Sequence, residues 1–251
     1  MSDTDIKDAV REKYGAIARS AGSCCGPTCG CGTESGIAGT ITMNDLYKGE
    51  DAEVRSGADL GLGCGTPTAF AGLEEGMTVL DLGSGAGIDV FLAAKKVGPK
   101  GRAIGVDMTE AMILRADENK AKLKAVNTEF RLGEIENLPV ATGTVDRILS
   151  NCVINLVPDK ARAFAEMHRV LKPGGQFTVS DIVTSGEMPD RVRTDLSEWA
   201  GCVAGAIDRE AYLDIARRAG FTTVTVVAEK PYALDPSVSF GLQSITVSGT
   251  K

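Results

Sequence analysis

Apolar positions fall into two patterns along the chain. Near the N-terminus, Ile6, Val10, Tyr14 and Ile17 recur at intervals of three and four residues, which predicts an amphipathic helix over residues 3–20. From residue 77 onward, short β-branched and apolar runs alternate with longer stretches of helical pattern. These patterns predict strands at 77–82, 102–107, 128–132, 145–151 and 176–183, and helices at 87–97, 109–125 and 159–171.

Strands that alternate with helices form a parallel sheet joined by right-handed crossovers. Two further helices and then two strands are predicted near 191–202, 208–219, 222–229 and 239–248. The last two strands could pair antiparallel. Residues 21–39 are rich in Gly, Ser, Thr and Cys without periodicity, which predicts a mobile loop. We therefore expect an α/β domain over residues 76–251, with an N-terminal arm, residues 1–75, packed on it and carrying a cysteine-rich loop.

Composition and charge narrow the class of protein. Of the 251 residues, 43% are apolar and 24% are charged, as in an average soluble domain. The net charge is −7, which argues against nucleic acid as a partner, because proteins that hold phosphate backbones are normally basic. No apolar run approaches the roughly 20 residues that span a membrane. The charged residues 1–20 do not resemble a signal peptide. We expect a soluble, cytoplasmic protein.

A glycine-rich segment follows the first predicted strand and reads Asp81-Leu-Gly83-Ser84-Gly85-Ala-Gly87. The dinucleotide pattern G-x-G-x-x-G fails in both frames, and the Walker pattern fails because no Gly-Lys-Ser/Thr follows. Asp107 ends the second strand, where a carboxylate accepts hydrogen bonds from ribose hydroxyls. A loop of this kind without a phosphate-binding lysine suits S-adenosylmethionine. The alternative is a tight strand–helix turn that binds nothing.

The carboxyl ends of the other strands complete the expected cofactor site, because ligands of open parallel sheets lie beyond those ends. Glu134 and Ile135 follow the third strand, where they are expected to contact adenine. Asn151 ends the fourth strand, beneath the expected position of the methyl group. Met108 follows Asp107 and is assigned to the same site.

The cysteines are the second chemical signal. There are seven, an odd number, and a single histidine excludes any metal site built on two histidines. Cys64, Cys152 and Cys202 lie in three separate segments that could converge above the cofactor. Three thiolates suit a pyramidal trivalent metalloid, whose exposed lone pair is a nucleophile that needs no general base. Alternatively, Cys152 and Cys202 are small buried apolar side chains.

The chain resembles the arsenite S-adenosylmethionine methyltransferases over nearly its whole length. The segments that carry the resemblance are 62–65, 81–89, 107–109, 150–160 and 199–202. It implies a Rossmann-like class I methyltransferase fold, with helices on both faces of a mostly parallel seven-stranded sheet whose last strand is antiparallel. It also implies that Cys64, Cys152 and Cys202 bind trivalent arsenic, as arsenite or its thiol conjugates.

The same resemblance implies a redox role for an N-terminal cysteine, which corresponds here to Cys24 or Cys25. After methyl transfer, enzyme thiols return electrons to arsenic and form a disulfide, which a thiol reductant of the thioredoxin or glutathione type restores. The cluster Cys24-Cys25-Gly-Pro-Thr-Cys29-Gly-Cys31 is denser than the family requires. It could capture arsenic or supply reducing thiols, hold a structural zinc ion, or be a loop with one useful cysteine.

Two other functions are compatible with parts of the sequence. A class I methyltransferase of a small organic substrate would need a catalytic acid or base near Asn151, and its cysteines would be dispensable. A metalloid-binding protein without transfer activity would need no adenosine site. The intact glycine-rich segment and Asp107 argue against the second of these functions.

Overall fold

The computed structural model describes residues 1–20, 46–47, 49–232, 234 and 238–251. The predicted N-terminal helix is confirmed as α1, Asp3–Arg19. Ser2 caps it, because its hydroxyl accepts from the backbone N–H of Asp5 and the Asp5 carboxylate accepts from that of Ser2. Within the described residues, no helix is both long and apolar enough to cross a membrane.

The described strands form one twisted, mixed sheet. They are β1 Thr78–Leu82, β2 Arg102–Asp107, β3 Thr128–Leu132, β4 Val145–Asn151, β5 Leu171–Ser185, β6 Thr222–Pro231 and β7 Gly241–Thr250. Their order across the sheet is β3-β2-β1-β4-β5-β7-β6. The first five strands are parallel, and β7 lies antiparallel between β5 and β6, so the predicted antiparallel pairing is confirmed. The strand order reverses between β1 and β4, whose carboxyl ends are therefore the expected ligand edge.

Helices surround the sheet and connect its strands. The remaining ones are α2 Ala52–Ala58, α3 Pro67–Phe70, α4 Ile88–Val97, α5 Glu110–Leu123, α6 Lys160–Val170, α7 Asp190–Arg193, α8 Leu196–Ala200 and α9 Arg209–Arg218, with a short 3-10 helix at Ile154–Leu156. The prediction of one helix over 191–202 is wrong. Asp195 interrupts it, because its carboxylate accepts from the backbone N–H groups of Ser197 and Glu198 and starts α8 as a new helix.

The largest part of the core lies where α6 and α9 pack on β5. Phe164 contacts Phe177 and Tyr212 edge to face, with ring centroids 5.7 Å apart in each pair, a geometry that aromatic quadrupoles favour. Phe177 packs in the same way on Phe221 at 4.7 Å.

The described part of the N-terminal arm covers the ligand edge of the sheet. Helix α1 packs against α5 and α8. Lys7 forms ion pairs with Glu134 and Glu136 at 2.8 and 3.0 Å, and Arg11 pairs with Glu134 at 2.6 Å. These contacts tie the arm to the segment that follows β3.

Candidate active site

The glycine-rich segment turns sharply from β1 into α4. Gly83, Gly85 and Gly87 have φ values of 66°, 51° and 97°, which favour glycine. A Cβ on Gly83 would lie 2.5 Å from Val153, and one on Gly87 would lie 2.7 Å from Phe91. A Cβ on Gly85 would meet nothing within 4 Å. Close packing therefore fixes both ends of the turn, while its middle faces open space that a ligand can approach.

Asp107, at the end of β2, holds this turn in place. One carboxylate oxygen accepts from the backbone N–H of Gly85 at 3.0 Å, and the other accepts from that of Thr109 at 2.8 Å. Burial raises the pKa of Asp107 above its ordinary value, and these hydrogen bonds oppose the rise.

A cavity opens in front of the turn; we call it the central cavity. Predicted cofactor residues on its wall are Asp81, Gly83, Ser84, Gly85, Asp107, Met108, Ile135 and Asn151. Gly87 and Glu134 are not on the wall. Gly87 is packed at the start of α4, and the Glu134 carboxylate is engaged by Lys7 and Arg11. Glu136, which sequence reasoning missed, lines the cavity instead.

Three carboxyl groups, those of Asp81, Asp89 and Asp107, make the wall of the central cavity acidic. Burial and the neighbouring charges of Asp89 and Asp107 raise the pKa of Asp81 well above its ordinary value. Burial raises the pKa of Asp89 to about 6, although the hydroxyl of Tyr47 donates to it at 2.6 Å. Among the described residues of the wall, only Lys7 is basic, and it is engaged in ion pairs. The cavity is therefore suited to a cation.

Two buried polar atoms on this wall also lack a hydrogen-bond partner among the described residues. They are the hydroxyl oxygen of Ser84 and one carboxylate oxygen of Asp89. Buried polar groups without partners are costly unless a ligand satisfies them. Asp89 was not singled out from the sequence, and its only signal is an acidic residue directly before the apolar run 90–94 of α4.

Asn151, at the end of β4, links the central cavity to the segment that carries Cys64. Its side-chain oxygen accepts from the backbone N–H groups of Cys64 and Gly65 at 2.9 and 3.2 Å. Its amide nitrogen donates to the carbonyl of Gly65 at 2.7 Å and to the hydroxyl of Tyr47 at 2.8 Å. A Cβ on Gly63 would lie 2.6 Å from the same amide. The segment is therefore docked closely against β4.

Cys64, Cys152 and Cys202 come together beside the cavity as the thiol cluster. They are 2%, 5% and 4% exposed. The thiol of Cys202 donates to the carbonyl of Cys152 at 3.1 Å. The Cys152 thiol interacts with both other thiols, and those contacts, with burial, raise its pKa well above the ordinary value. Cys152 also lines the central cavity, so it belongs to both sites.

The backbone at two members of the thiol cluster is in the left-handed region. Cys152 has a φ of 62° and Cys202 a φ of 66°. Among the described residues, only two other non-glycine residues have a positive φ. Such a conformation costs roughly 1–2 kcal/mol for a residue with a Cβ. Strained residues of this kind are concentrated at functional sites. The strain therefore favours a chemical role over simple packing.

Two neighbours of the thiol cluster complete its surroundings. The hydroxyl of Tyr14, on α1, lies 3.9 Å from the sulfur of Cys202 and donates to the carbonyl of Ala200 at 3.3 Å. Asp181, on β5, has a carboxylate oxygen that lies with the sulfurs of Cys64 and Cys152 in a group whose members are all within 4.8 Å of one another. Sequence reasoning missed Asp181.

The N-terminal cysteines lie outside the described residues. These are Cys24, Cys25, Cys29 and Cys31, and the loop predicted over 21–39 lies there as well. Their assignment to redox chemistry therefore stays a prediction.

The strand order and the glycine-rich turn at the ligand edge define the fold of a class I methyltransferase. Residues 73–220 match the model of a family described as a methyltransferase domain. This match covers more than half of the chain, which therefore belongs to that family.

Two curated relatives of the chain are both named arsenite methyltransferase. The chain is 49% identical over 235 residues to the arsenite methyltransferase of Halobacterium salinarum, a match that covers 88% of this chain and 59% of that protein. It is 39% identical over 156 residues to the human arsenite methyltransferase, covering 59% of this chain and 42% of that one. The chain thus spans 59% and 42% of the lengths of these two curated relatives.

A solved structure is similar as well. The arsenic(III) S-adenosylmethionine methyltransferase of Chlamydomonas reinhardtii superimposes with a TM-score of 0.69 at 36% sequence identity, covering 79% of this chain and 73% of that one.

Proposed function

We propose that the protein transfers methyl groups from S-adenosylmethionine to trivalent arsenic and so serves in arsenic detoxification. The observation that carries this proposal is the position of Cys152, which lines the central cavity and contacts both other thiols of the cluster. A methyl donor in the cavity and arsenic on the thiols would meet at this residue. The names of the relatives described above support the same substrate.

The central cavity suits S-adenosylmethionine in its charge and in the contacts that its wall offers. The sulfonium and ammonium groups of this molecule are cationic, which fits the buried carboxylates of Asp81 and Asp89. Asp107 is expected to accept hydrogen bonds from the ribose, as acidic residues at this strand end do in related folds. Ile135 offers an apolar contact for adenine. When bound, S-adenosylmethionine supplies an electrophilic methyl group on its sulfonium.

The thiol cluster is suited to arsenite because the thiols of Cys64 and Cys152 start protonated. Burial raises the pKa of Cys64, and the contacts with Cys202 and Cys64, together with burial, raise the pKa of Cys152. Each thiol can form an As–S bond while its proton leaves with one hydroxide of arsenous acid as water. Three such exchanges release three water molecules and leave arsenic bound to three sulfurs, with a lone pair on the remaining face.

Methyl transfer is then an in-line displacement. The arsenic lone pair forms a bond to the methyl carbon, the bond from that carbon to the sulfonium breaks, and its electron pair stays on the sulfur. Cys64, Cys152 and Cys202 act by position, which can supply much of a barrier when the reacting atoms are held about 3–3.5 Å apart. Arsenic becomes pentavalent in this step.

Return to the trivalent state requires two electrons. We assign them to a pair of thiols that becomes a disulfide, with Cys24 or Cys25 as one partner and a thioredoxin-type or glutathione-type thiol as the external reductant. Such chemistry requires a reducing compartment, which the cytoplasm provides. In this proposal residues 1–75 form the thiol-bearing arm and residues 76–251 form the methyltransferase domain.

The test is a transfer assay with reduced protein and S-adenosylmethionine labelled in its methyl group. We expect label to move to arsenic only when arsenite is present, and Cys152→Ser to lose this transfer. Cys64 and Cys202 remain in that variant, so the loss would report the missing third thiolate. Full transfer by Cys152→Ser, or transfer that ignores arsenite, would contradict the proposal and favour an organic methyl acceptor.

A further inference from the structure

The donor atoms that lie closest together beside the central cavity are not the three sulfurs. They are the sulfurs of Cys64 and Cys152 and a carboxylate oxygen of Asp181, all within 4.8 Å of one another. The sulfur of Cys202 does not belong to this group and instead donates to a backbone carbonyl. From this arrangement we propose that Cys64, Cys152 and Asp181 bind a thiophilic divalent cation such as Zn²⁺ or Cd²⁺.

The spacing fits such an ion. Zn²⁺ bound tetrahedrally at about 2.3 Å from sulfur separates two sulfur ligands by about 3.8 Å. The three donor atoms are within 4.8 Å of one another, so small side-chain movements close the site. Three protein ligands leave one coordination position for water, which is typical of an exchangeable ion rather than a closed structural site.

The chemistry of the ligand set distinguishes this ion from arsenic. Trivalent arsenic forms three bonds to sulfur and keeps a lone pair, so it takes the third thiolate, Cys202. A divalent cation accepts hard and soft donors together, and it can use the carboxylate of Asp181 in place of Cys202.

Asp181 is supported in the way that metal-binding carboxylates are. It is fully buried, and its two oxygens accept from the backbone N–H groups of Asn155 and Ile182 at 3.0 Å and from the hydroxyl of Tyr212 at 3.3 Å. Ligating carboxylates are commonly oriented by hydrogen bonds of this kind.

The charges also balance around a divalent cation. Two thiolates and one carboxylate carry three negative charges, and a divalent ion reduces the sum to one. The ammonium of Lys160 is buried nearby, attracts Asp181, and donates to the carbonyls of Asn155 and Val157. A buried site close to neutrality avoids the cost of an unpaired charge. The bound ion would occupy Cys64 and Cys152 and would therefore compete with arsenic for these two thiols. This competition rests on the proposed function, whereas the binding of the ion does not.

Binding can be measured without any methyl transfer. The full chain would be reduced and carry Ser at positions 24, 25, 29 and 31, so that the described cysteines supply all thiolates. Cd²⁺ would be followed by its ultraviolet thiolate charge-transfer absorption. Arsenite would be followed by the fluorescence of Trp199, the single tryptophan, which adjoins the segment of Cys202.

Two variants in this background separate the two ligand sets. We expect Asp181→Asn to weaken Cd²⁺ binding by at least about tenfold and to leave arsenite binding intact. Cys202→Ser is expected to weaken arsenite binding and to leave Cd²⁺ binding intact. Unchanged Cd²⁺ affinity in Asp181→Asn would overturn the proposal, whatever Cys202→Ser does. Equal weakening of both ligands in Asp181→Asn would also overturn it, because the carboxyl would then act on the fold.

Discussion

The side-chain oxygen of Asn151 accepts a hydrogen bond from the backbone N–H of Cys64 at 2.9 Å. This contact crosses from the end of β4 to the segment before β1, and it joins the wall of the central cavity to the thiol cluster. Because Cys152, the residue that follows β4, belongs to both sites, the amide sets the separation between the proposed methyl donor and arsenic.

Asn151→Ala is therefore expected to weaken arsenite binding. The backbone N–H groups of Cys64 and Gly65 would lose their acceptor, and unsatisfied buried donors cost about 1–3 kcal/mol. Arsenite affinity, measured by Trp199 fluorescence, should fall by roughly 5- to 150-fold, the factor that this free energy corresponds to.

Asn127→Ala is a matched control for that variant. The Asn127 amide also donates to two backbone carbonyls, those of Ala94 and Gly98, but it does so away from both sites. It should lower the free energy of unfolding without lowering arsenite affinity. Equal arsenite affinity in the wild-type protein and Asn151→Ala would exclude the positioning role of Asn151.

Asp107→Ala should weaken S-adenosylmethionine binding while arsenite binding stays almost intact. The loss removes hydrogen bonds to a charged group, worth about 1.5–3 kcal/mol, and it also frees the turn at Gly85. Calorimetric titration with the cofactor checks this expectation. Glu129→Ala removes a carboxylate that pairs with Arg102 and Arg131 and should leave cofactor affinity unchanged. Unaltered affinity in Asp107→Ala would remove this residue from the site.

Cofactor affinity should rise with pH through about 6. The pKa of Asp89 is about 6 in the free protein, and a cationic ligand favours the ionised carboxylate, so binding releases a proton below that pH. Each pH unit below about 6 should then lower affinity by up to about tenfold. Titrations between pH 5 and 8 should show this slope in the wild-type protein and a reduced slope in Asp89→Asn. A pH-independent affinity would contradict the binding of a cationic ligand by the carboxylates of the wall.

The stability of the free protein should change in the opposite direction. The folded state raises the pKa of Asp89 above the ordinary value of 3.8. The carboxyl therefore contributes stability below about pH 4 that is lost as pH rises through about 6. The melting temperature of the wild-type protein relative to Asp89→Asn should decline across this window.

Much of the wall of the central cavity could be predicted because strand ends are local features of the sequence. Asp107 and Asn151 each end a strand and Asp81 is one residue from the end of β1, and parallel strands bring such residues to one edge of the sheet. Cys64 and Cys202 lie in irregular segments, so the residues alone indicated only that they could converge with Cys152, and the family resemblance then implied it.

The remaining features depend on tertiary contacts that no local pattern encodes. Asp89 and Asp181 lie in apolar stretches, and their roles follow from burial and from partners distant in sequence. Glu134 was expected at the cavity, but the salt bridges of α1 engage it and Glu136 lines the wall in its place. A shift of two residues along an irregular loop is beyond the resolution of pattern analysis.

The most direct test of the account is the arsenic X-ray absorption spectrum of reduced protein loaded with one equivalent of arsenite. The protein would carry Ser at positions 24, 25, 29 and 31, so that only Cys64, Cys152 and Cys202 can supply sulfur. We expect arsenic with three sulfur neighbours and no oxygen, and we expect Cys152→Ser to replace at least one sulfur by oxygen. An arsenic environment that is the same in both proteins, or that contains no sulfur, would contradict a thiol cluster that holds arsenic beside the methyl donor.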